Sequence, residues 1–354
     1  MIASVVEAKK ILLNSILFFC ILFLVKCTPS PKEPRLLTVS GTTMGTVYNI
    51  KIPDHQVSGR SVDMVALKSG IETVLREINE KMSTFLKDSE ISRFNRFQFS
   101  DWFPVSAETA WVIKKSFEVS EKSEGAFDIT VGSLVNLWGF GPLETREIPE
   151  DRDIQEKLML TGYKNIGVRL SPPALIKKKR KEMICDLSAI AKGYGVDRIA
   201  QYLEAENIAD YLVEIGGELR AKGKNHHNQW WRIGIATPDD SLGIHKVVVL
   251  KNMSMATSGD YRNYFEKDGI RYSHTIDPVT GRPIVHNLAS VTVVGDSCLY
   301  ADALATALNV LGPERGFDLA VRENVAAFFI LRAENGFRVK STPRFEDGFN
   351  RSES

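Results

Sequence analysis

Strong net charge is absent from this sequence. Its 354 residues carry 45 Lys and Arg against 44 Asp and Glu, which leaves a formal net charge of +1. Such a balance creates no field that would recruit nucleic acid or a strongly acidic partner. The one basic run, KKKRK at 177–181, has no flanking aromatic residues. We therefore interpret it as a solvated loop between two strands rather than a nucleic-acid site.

Cysteine is also scarce, with four residues in the whole chain. Cys20 and Cys27 lie in an N-terminal targeting region, which leaves Cys185 and Cys298 for the folded body. Each of these two is flanked by apolar or small residues, and their spacing matches no zinc site. We therefore predict two buried thiols rather than a disulfide framework.

Long apolar runs are absent except near the N-terminus, where residues 11–25 follow two lysines. This run is too short for a comfortable membrane-spanning helix and is typical of a signal-peptide core. It leads into Cys27, which resembles the lipidated first residue of a bacterial lipoprotein, although Lys26 replaces the small residue usual there. The alternative is an uncleaved N-terminal anchor. In either case we expect 1–27 to target the protein, 28–35 to form a tether, and the folded body to lie outside the cytoplasm.

Beyond residue 35 the sequence has neither internal repeats nor low-complexity linkers. It also lacks a glycine-rich turn after its first strand, which argues against a Rossmann dinucleotide site. Helices and strands are mixed without strict βαβ alternation, so we predict an α+β fold of mixed or antiparallel sheets with packed helices. This domain would span 36–340 and be followed by a polar tail at 341–354. Helical patterns cover 67–82, 107–122, 151–160, 189–205 and 297–310, and strand patterns cover 36–53, 183–187, 211–215, 231–236, 247–250, 270–276, 288–294 and 326–331, the last closing the sheet.

An acidic residue inside a predicted apolar helix is the first sign of chemistry. Asp302 and Thr306 are four residues apart, so their oxygens project from one helix face among small alanines. A buried Asp needs compensation for its charge, and a carboxylate with a hydroxyl is a typical partial Mg²⁺ shell. The alternative is a carboxylate that bonds a neighbouring backbone amide, with Thr306 as simple packing.

A second candidate lies where the predicted strand 183–187 meets the following helix. Asp186 ends that strand, and the exposed N–H groups at a helix start suit phosphate oxygens. Lys192, in the early turns of the helix, could reach a phosphate as a point charge. The alternative is that Asp186 or Ser188 caps the helix and Lys192 is solvated.

Two further signals come from His274 and from a pair of phenylalanines. His274 follows Ser273 at the end of a predicted strand and could act as a general base or hold a diphosphate, although a lone His is more often structural. Phe85 and Phe127 could pack a planar ring system, although most Phe residues belong to a core.

Eight stretches taken together carry a more specific signal. They are MSTF at 82–85, DSEISRFN at 88–95, AFDITVG at 126–132, DLSAIAKGYG at 186–195, VEIGGE at 213–218, TSGDYRN at 257–263, HTIDP at 274–278 and ADALAT at 301–306. In content and order they resemble the ApbE family of FAD:protein FMN transferases. The likeness covers about residues 38–332, and a lipoprotein-like N-terminus is also common in that family.

The resemblance implies a T-fold-like α+β architecture, FAD as the donor and Mg²⁺ as the cofactor. It implies transfer of FMN through a phosphoester bond to a Thr or Ser hydroxyl of an acceptor protein, with release of AMP. Acceptors would be FMN-binding domains of membrane redox complexes, and the protein an exported lipoprotein of the inner membrane facing the periplasm. With water as acceptor, the same site would make an FAD pyrophosphatase that gives FMN and AMP. A non-enzymatic flavin-binding lipoprotein is the third alternative.

Residue by residue, the resemblance implies Asp302 and Thr306 as metal ligands through their side chains and Ala189 through its carbonyl. His274 would be the active-site His, and Asp302 would be catalytic through the metal. Phe85 stands where the family often has Tyr, so ring packing is retained while a hydroxyl contact is lost. The implied FAD contacts are Met44, Phe85, Ala126, Phe127, Asp128, Asp186, Lys192 and Ser273.

Overall fold

The computed structural model describes residues 34–57, 63–142, 146–239, 243–260 and 263–349. The predicted signal segment, Cys27 and all but the last two residues of the tether lie outside these ranges. So do Tyr261 and Arg262 of the TSGDYRN stretch and the final residues 350–354. Within the described ranges, no helix combines the length and the apolar character needed to cross a bilayer.

Helices and strands follow one another irregularly along the chain. The helices are α1 (Met64–Met82), α2 (Glu90–Arg96), α3 (Ala107–Lys122), α4 (Gly132–Leu137), α5 (Asp151–Leu158), α6 (Ser188–Ala205), α7 (Cys298–Arg322) and α8 (Pro343–Phe349). The strands are β1 (Leu36–Thr43), β2 (Thr46–Pro53), β3 (Phe103–Pro104), β4 (Ile166–Arg169), β5 (Leu175–Lys178), β6 (Tyr211–Ile215), β7 (Glu218–Lys222), β8 (Trp231–Ala236), β9 (Ile244–Leu250), β10 (Ser254–Gly259), β11 (Tyr264–Lys267), β12 (Ile270–Ser273), β13 (Leu288–Gly295), β14 (Ala326–Ala333) and β15 (Gly336–Ser341).

An eight-stranded antiparallel sheet forms the centre of the fold, in the order β1-β2-β6-β7-β10-β13-β14-β15. Its first two strands join through a two-residue turn at Met44 and Gly45, both with positive φ, as a type I′ hairpin requires. Smaller antiparallel units, β8-β9, β11-β12 and β3-β5-β4, complete the strands. The prediction of an α+β fold with antiparallel sheets and packed helices is confirmed.

The two faces of the central sheet are covered by different elements. In β14, Ala327 and Phe329 join the core formed with α6 and α7, whereas Phe328 and Ile330 join the core formed with the β8-β9 hairpin and α8. Successive side chains of a strand point to opposite faces, so one strand can serve both cores. The candidate site lies on the side of α6 and α7.

Residues 183–187, predicted as a strand, form no strand. The side chain of Asn95 takes the place of a neighbouring strand: its Nδ2 donates to the Cys185 carbonyl and its Oδ1 accepts the Cys185 amide, both at 2.8 Å. The Asp186 amide donates to the Ile129 carbonyl at 2.6 Å. An amide side chain offers the same donor and acceptor as a peptide group, so this apolar stretch satisfies its backbone without a ladder. Cys185 and Cys298 are both buried free thiols, as predicted.

Two other boundaries differ from the predicted ones. Strand β12 ends at Ser273 rather than at 276. The His274 amide still donates to the Asn263 carbonyl at 3.1 Å, but beyond it the chain leaves β11, and Ile276 forms an isolated bridge with Pro283 instead. Helix α7 continues past residue 310 to Arg322, through a break at Gly312, where φ is 78°.

The C-terminal stretch and the basic run are also more ordered than expected. Strand β14 does not close the sheet, because β15 pairs with its outer edge. The folded body then extends beyond residue 340, since Phe345 of α8 is fully buried with its ring 5.2 Å from that of Phe328. Lys178 of the basic run lies in β5 and is buried, and its Nζ donates to the carbonyls of Asn95 (2.8 Å) and Met183 (3.3 Å).

We predict that Asn95→Ala lowers the free energy of unfolding by about 2–4 kcal/mol, because it leaves the buried Cys185 amide and carbonyl without partners. Urea unfolding followed by circular dichroism measures the change. Arg93→Ala, on the exposed face of the same helix, should change stability by less than about 0.5 kcal/mol. Equal stability of the two variants would contradict the assigned role of Asn95.

Candidate active site

One cavity of about 1030 Å³ gathers almost all of the predicted site residues. Ser273 is the exception: it is buried outside the lining, where its Oγ accepts the Thr275 amide at 3.1 Å. The predicted residues in the lining are Met44, Phe85, Ala126, Phe127, Asp128, Asp186, Ala189, Lys192, His274, Asp302 and Thr306. They come from the β1-β2 turn, the α1-α2 connection, the segment before α4, the start of α6, the end of β12, and α7.

A cluster of three charged side chains forms the polar part of this cavity. The Nζ of Lys192 lies 3.3 Å from Oε1 of Glu218 and 3.5 Å from Oδ1 of Asp302. Burial disfavours the charged form of Lys192, but the two carboxylates outweigh it and hold the pKa of Lys192 above its ordinary value. Burial raises the pKa of Glu218 above its ordinary value, and the neighbouring Lys192 ammonium opposes this shift. The Lys192 ammonium is therefore paired with two carboxyl groups. It is not solvated, as the capping alternative for this helix start had assumed.

Close packing of α6 on α7 fixes the position of Asp302. The Gly193 amide donates to Oδ2 of Asp302 at 2.9 Å, and a Cβ on Gly193 would lie 2.3 Å from the Cys298 carbonyl oxygen. One turn further along α6, Asp197 accepts the amides of Cys298 (3.1 Å) and Leu299 (3.0 Å). Anions are stabilising at a helix N-terminus, so Asp197 anchors the start of α7 on α6.

The residues implied as metal ligands fit a hard cation. The Asp302 carboxylate is buried and its Oδ1 lies 3.5 Å from Nζ of Lys192, and Thr306 follows one turn later in the cavity lining. The Gly193 amide donates to Oδ2 of Asp302 at 2.9 Å, and Ala189, one turn before Gly193 in α6, belongs to the same cavity lining. The described part of the chain holds no cluster of three or more His, Cys, Asp or Glu suited to a metal. A cation here would therefore combine a carboxylate with a hydroxyl and a carbonyl, ligands that Mg²⁺ accepts.

His274 is held in one tautomer by its backbone surroundings. Its Nδ1 lies 2.9 Å from the Asn263 carbonyl oxygen, which also accepts the His274 amide. A carbonyl can only accept, so Nδ1 carries the proton and Nε2 of the neutral ring has a free lone pair. Burial lowers the pKa of His274, although the Asn263 hydrogen bond opposes the shift. The ring is therefore neutral at pH 7 and competent as a base.

Apolar and backbone groups form the rest of the lining. Phe85 lies in the loop between α1 and α2 with 61% of its surface exposed, whereas Phe127 is buried. Both oxygens of Asp128 are engaged: Oδ1 accepts the Thr130 amide (2.8 Å) and Oδ2 the Tyr163 amide (2.7 Å). A contact from Asp128 to a ligand would then come from its backbone.

The junction before α6 shows the local bonding that the capping alternative described. Oδ1 of Asp186 accepts the Ser188 amide at 2.8 Å and the Ser188 hydroxyl at 2.6 Å. Asp186 still lines the cavity. The capping and binding interpretations of Asp186 are therefore compatible.

Two groups that complete the site carried no separate signal in the sequence. Glu218 lies within VEIGGE, but nothing in that stretch distinguishes a buried carboxylate from a solvated one. The available clue was the alternation at the start of β7, where Glu218 and Arg220 lie on one strand face and apolar Leu219 on the other. Asn263 contributes a backbone carbonyl, which no side-chain pattern can indicate.

Comparison with known proteins agrees with this geometry. The ApbE family model matches residues 44–329. An FAD:protein FMN transferase of Vibrio cholerae is 43% identical over 329 residues, 92% of this chain and 96% of the relative; one of Escherichia coli K12 is 39% identical over 333 residues, covering 92% and 94%. The solved flavin transferase ApbE of Vibrio cholerae has a TM-score of 0.80 at 42% identity, covering 89% of this chain and 99% of that one. The apo form of Pseudomonas stutzeri flavinyl transferase ApbE gives 0.83 at 38%, covering 91% and 99%.

The fold and the cavity are therefore those of an enzyme of the transferase class. Within that class, the chain belongs to the ApbE family, and the resemblance inferred from the eight stretches is confirmed.

We predict that Gly193→Ala destabilises the protein by about 1–3 kcal/mol, because the added methyl group would overlap the Cys298 carbonyl and the Asp302 Cβ, 2.8 Å away. Thermal unfolding measures the change. Gly348→Ala, in an exposed part of α8 with open space around it, is the matched control and should be neutral or slightly stabilising. A Gly193→Ala protein as stable as this control would show that α6 and α7 do not require the close approach.

Proposed function

We propose that this protein is a Mg²⁺-dependent FAD:protein FMN transferase that moves FMN from FAD to a Thr or Ser hydroxyl of an acceptor protein. The observation that carries the proposal is the single cavity in which an exposed aromatic ring, a paired lysine and a buried carboxylate meet a neutral histidine. Its volume of about 1030 Å³ is at the upper end of the range for small-molecule sites, as a dinucleotide requires. The names of the relatives support the same activity.

In the proposed reaction, the acceptor oxygen attacks the FMN phosphorus of FAD while the bond from that phosphorus to the AMP oxygen breaks. The products are the FMN phosphoester of the acceptor and AMP, and the acceptor proton passes to a base. Phe85 would pack the flavin ring, and Lys192 would offer a positive charge to the diphosphate. Asp302, Thr306 and the Ala189 carbonyl would hold Mg²⁺. When bound, the metal supplies positive charge that offsets the negative charge developing on the leaving group.

His274 is the proposed base, since the Asn263 carbonyl leaves Nε2 with a lone pair that can accept the hydroxyl proton. The lowered pKa of the ring keeps it unprotonated at neutral pH.

We further propose that the protein is exported and anchored through lipid on Cys27, with its folded body facing the periplasm. The support is the sequence pattern of residues 1–27, which precede the described body. Its acceptors would be FMN-binding domains of membrane redox complexes, which an enzyme tethered to the same membrane can reach.

The transfer activity is tested by incubating the full chain with FAD, Mg²⁺ and an FMN-binding domain of a membrane redox complex, then weighing that domain by mass spectrometry. We expect a gain of one FMN that requires Mg²⁺ and slows about 100-fold or more in Asp302→Ala. Asp296→Ala, which removes an exposed carboxylate just before α7, should transfer normally. An unmodified domain with free FMN and AMP would instead indicate a pyrophosphatase, and intact FAD would indicate a flavin-binding protein.

The role of His274 is tested by the pH dependence of kcat/KM. Because burial lowers its pKa, transfer should be insensitive to pH around the ordinary value of 6.5 and should fall only at lower pH, as the ring takes up a proton. His274→Ala should be slower by about 100-fold and should lack this acid limb. His227→Ala, an exposed ring outside the cavity, should behave as the native protein. Full activity of His274→Ala would assign the base elsewhere.

A further inference from the structure

Glu218 is a buried carboxylate with half of its hydrogen-bonding capacity unused. It begins β7, directly after the tight turn at Gly216 and Gly217, and is 3% exposed. Its Oε1 lies 3.3 Å from Nζ of Lys192, whereas its Oε2 is buried without a hydrogen-bond partner among the described residues. Burying an unpaired carboxylate oxygen is costly, so the fold keeps this group against its own stability.

Strand geometry explains why Glu218 faces the site. Leu219 of β7 belongs to the core on the side of the β8-β9 hairpin, so Glu218 and Arg220 face α6 instead. Both then form ion pairs with α6: Arg220 lies 2.9 Å from Asp197, and Glu218 pairs with Lys192. The Arg220 pair is completed by further hydrogen bonds at the start of α7, whereas the Glu218 pair opens onto the cavity.

Lys192 is shared between two carboxylates, only one of which is a proposed metal ligand. Oδ2 of Asp302 is occupied by the Gly193 amide, so Oδ1 is the oxygen it can offer to a cation. That same oxygen is the one 3.5 Å from Nζ of Lys192. Two positive charges repel each other strongly in a buried site, so Lys192 has to give up Oδ1 before a divalent cation can bind there. Without a second carboxylate, the displaced ammonium would be left partly buried and unpaired.

We propose that Glu218 is a positioning residue that retains the Lys192 ammonium and thereby frees Oδ1 of Asp302 for a divalent cation. The inference rests on the proposed function, which makes Asp302 a metal ligand. It adds that cation binding requires Lys192 to shift from two carboxylates to one, while its charge remains beside the cavity.

The test is a titration of the full chain with Mn²⁺, a spectroscopic substitute for Mg²⁺, in the absence of FAD. Electron paramagnetic resonance of free Mn²⁺ gives the Kd without any turnover. Glu218→Gln should weaken Mn²⁺ binding by about tenfold, because the lysine then remains on Asp302. Glu214→Gln is the matched control: Glu214 also lines the cavity, but its carboxylate bonds Asn49 (2.9 Å) and the Gly217 amide (2.8 Å) instead of a cation. Its Kd should stay within about twofold of the native value.

A double-mutant cycle separates positioning from direct ligation. Lys192→Met removes the competing charge, so it should tighten Mn²⁺ binding about tenfold by itself. Adding Glu218→Gln to Lys192→Met should then have little further effect, because Glu218 acts through the lysine. Equal weakening by Glu218→Gln with and without Lys192 would make Glu218 a metal ligand and overturn the proposal. So would an unchanged Kd in either single variant.

Two controls keep the outcomes distinct. Asp302→Ala should lose Mn²⁺ binding; if it binds as the native protein does, the metal site of the proposed function is wrong. If Asp302→Ala loses binding while Glu218→Gln does not change it, only the role of Glu218 is wrong. Thermal unfolding of each variant verifies that it is folded. If Glu218→Gln fails to fold, the Lys192→Met titration still tests the competition between the lysine and the cation, and an unchanged Kd in that variant overturns the proposal.

Discussion

The contact between α6 and α7 is the constraint on which the candidate site depends. It is formed by hydrogen bonds from backbone amides to carboxylates. The Gly193 amide donates to Asp302, and Asp197 accepts hydrogen bonds from the first two amides of α7. These bonds set both the distance and the register of the two helices. The central sheet supplies Glu218 from the face of β7 that is turned towards α6. Lys192 of α6 pairs with one carboxylate from the sheet and one from α7. The hydrogen bonds that hold α6 against α7 therefore also place the functional groups of the two helices next to each other.

The charge balance of the cluster suits the proposed chemistry. Two carboxylates and one ammonium amount to one net negative charge when all three are ionised. The divalent cation proposed for this site would meet an attractive field, and the filled site would carry one net positive charge. A diphosphate arriving at that site meets a complementary field instead of a bare carboxylate, which would repel it.

The sequence predicted the elements whose burial is periodic and local. The β1-β2 hairpin, α1, α3 and α6 agree with the structure because their apolar residues recur at the spacing of the element itself. The prediction of a strand over residues 183–187 was wrong because the Asn95 side chain forms the backbone hydrogen bonds that a neighbouring strand would form. A sequence pattern does not indicate which distant group pairs with a backbone segment. Resemblance to a family brought the cavity residues together. The resemblance assigned no role to Glu218, because the feature that distinguishes this residue is a buried oxygen without a partner, which the sequence does not record. It assigned none to Asn263, because Asn263 contributes its backbone carbonyl.

The absence of a side chain at Gly193 also restricts how sequences of this kind can diverge. The Asp302 carboxylate needs an amide within hydrogen-bond reach, and only a glycine lets the α6 backbone come that close to α7. The two positions are therefore tied to each other as a pair across a separation of more than a hundred residues. Among related chains, loss of the glycine and loss of the carboxylate should occur together, and a chain that lacks both has left this chemistry.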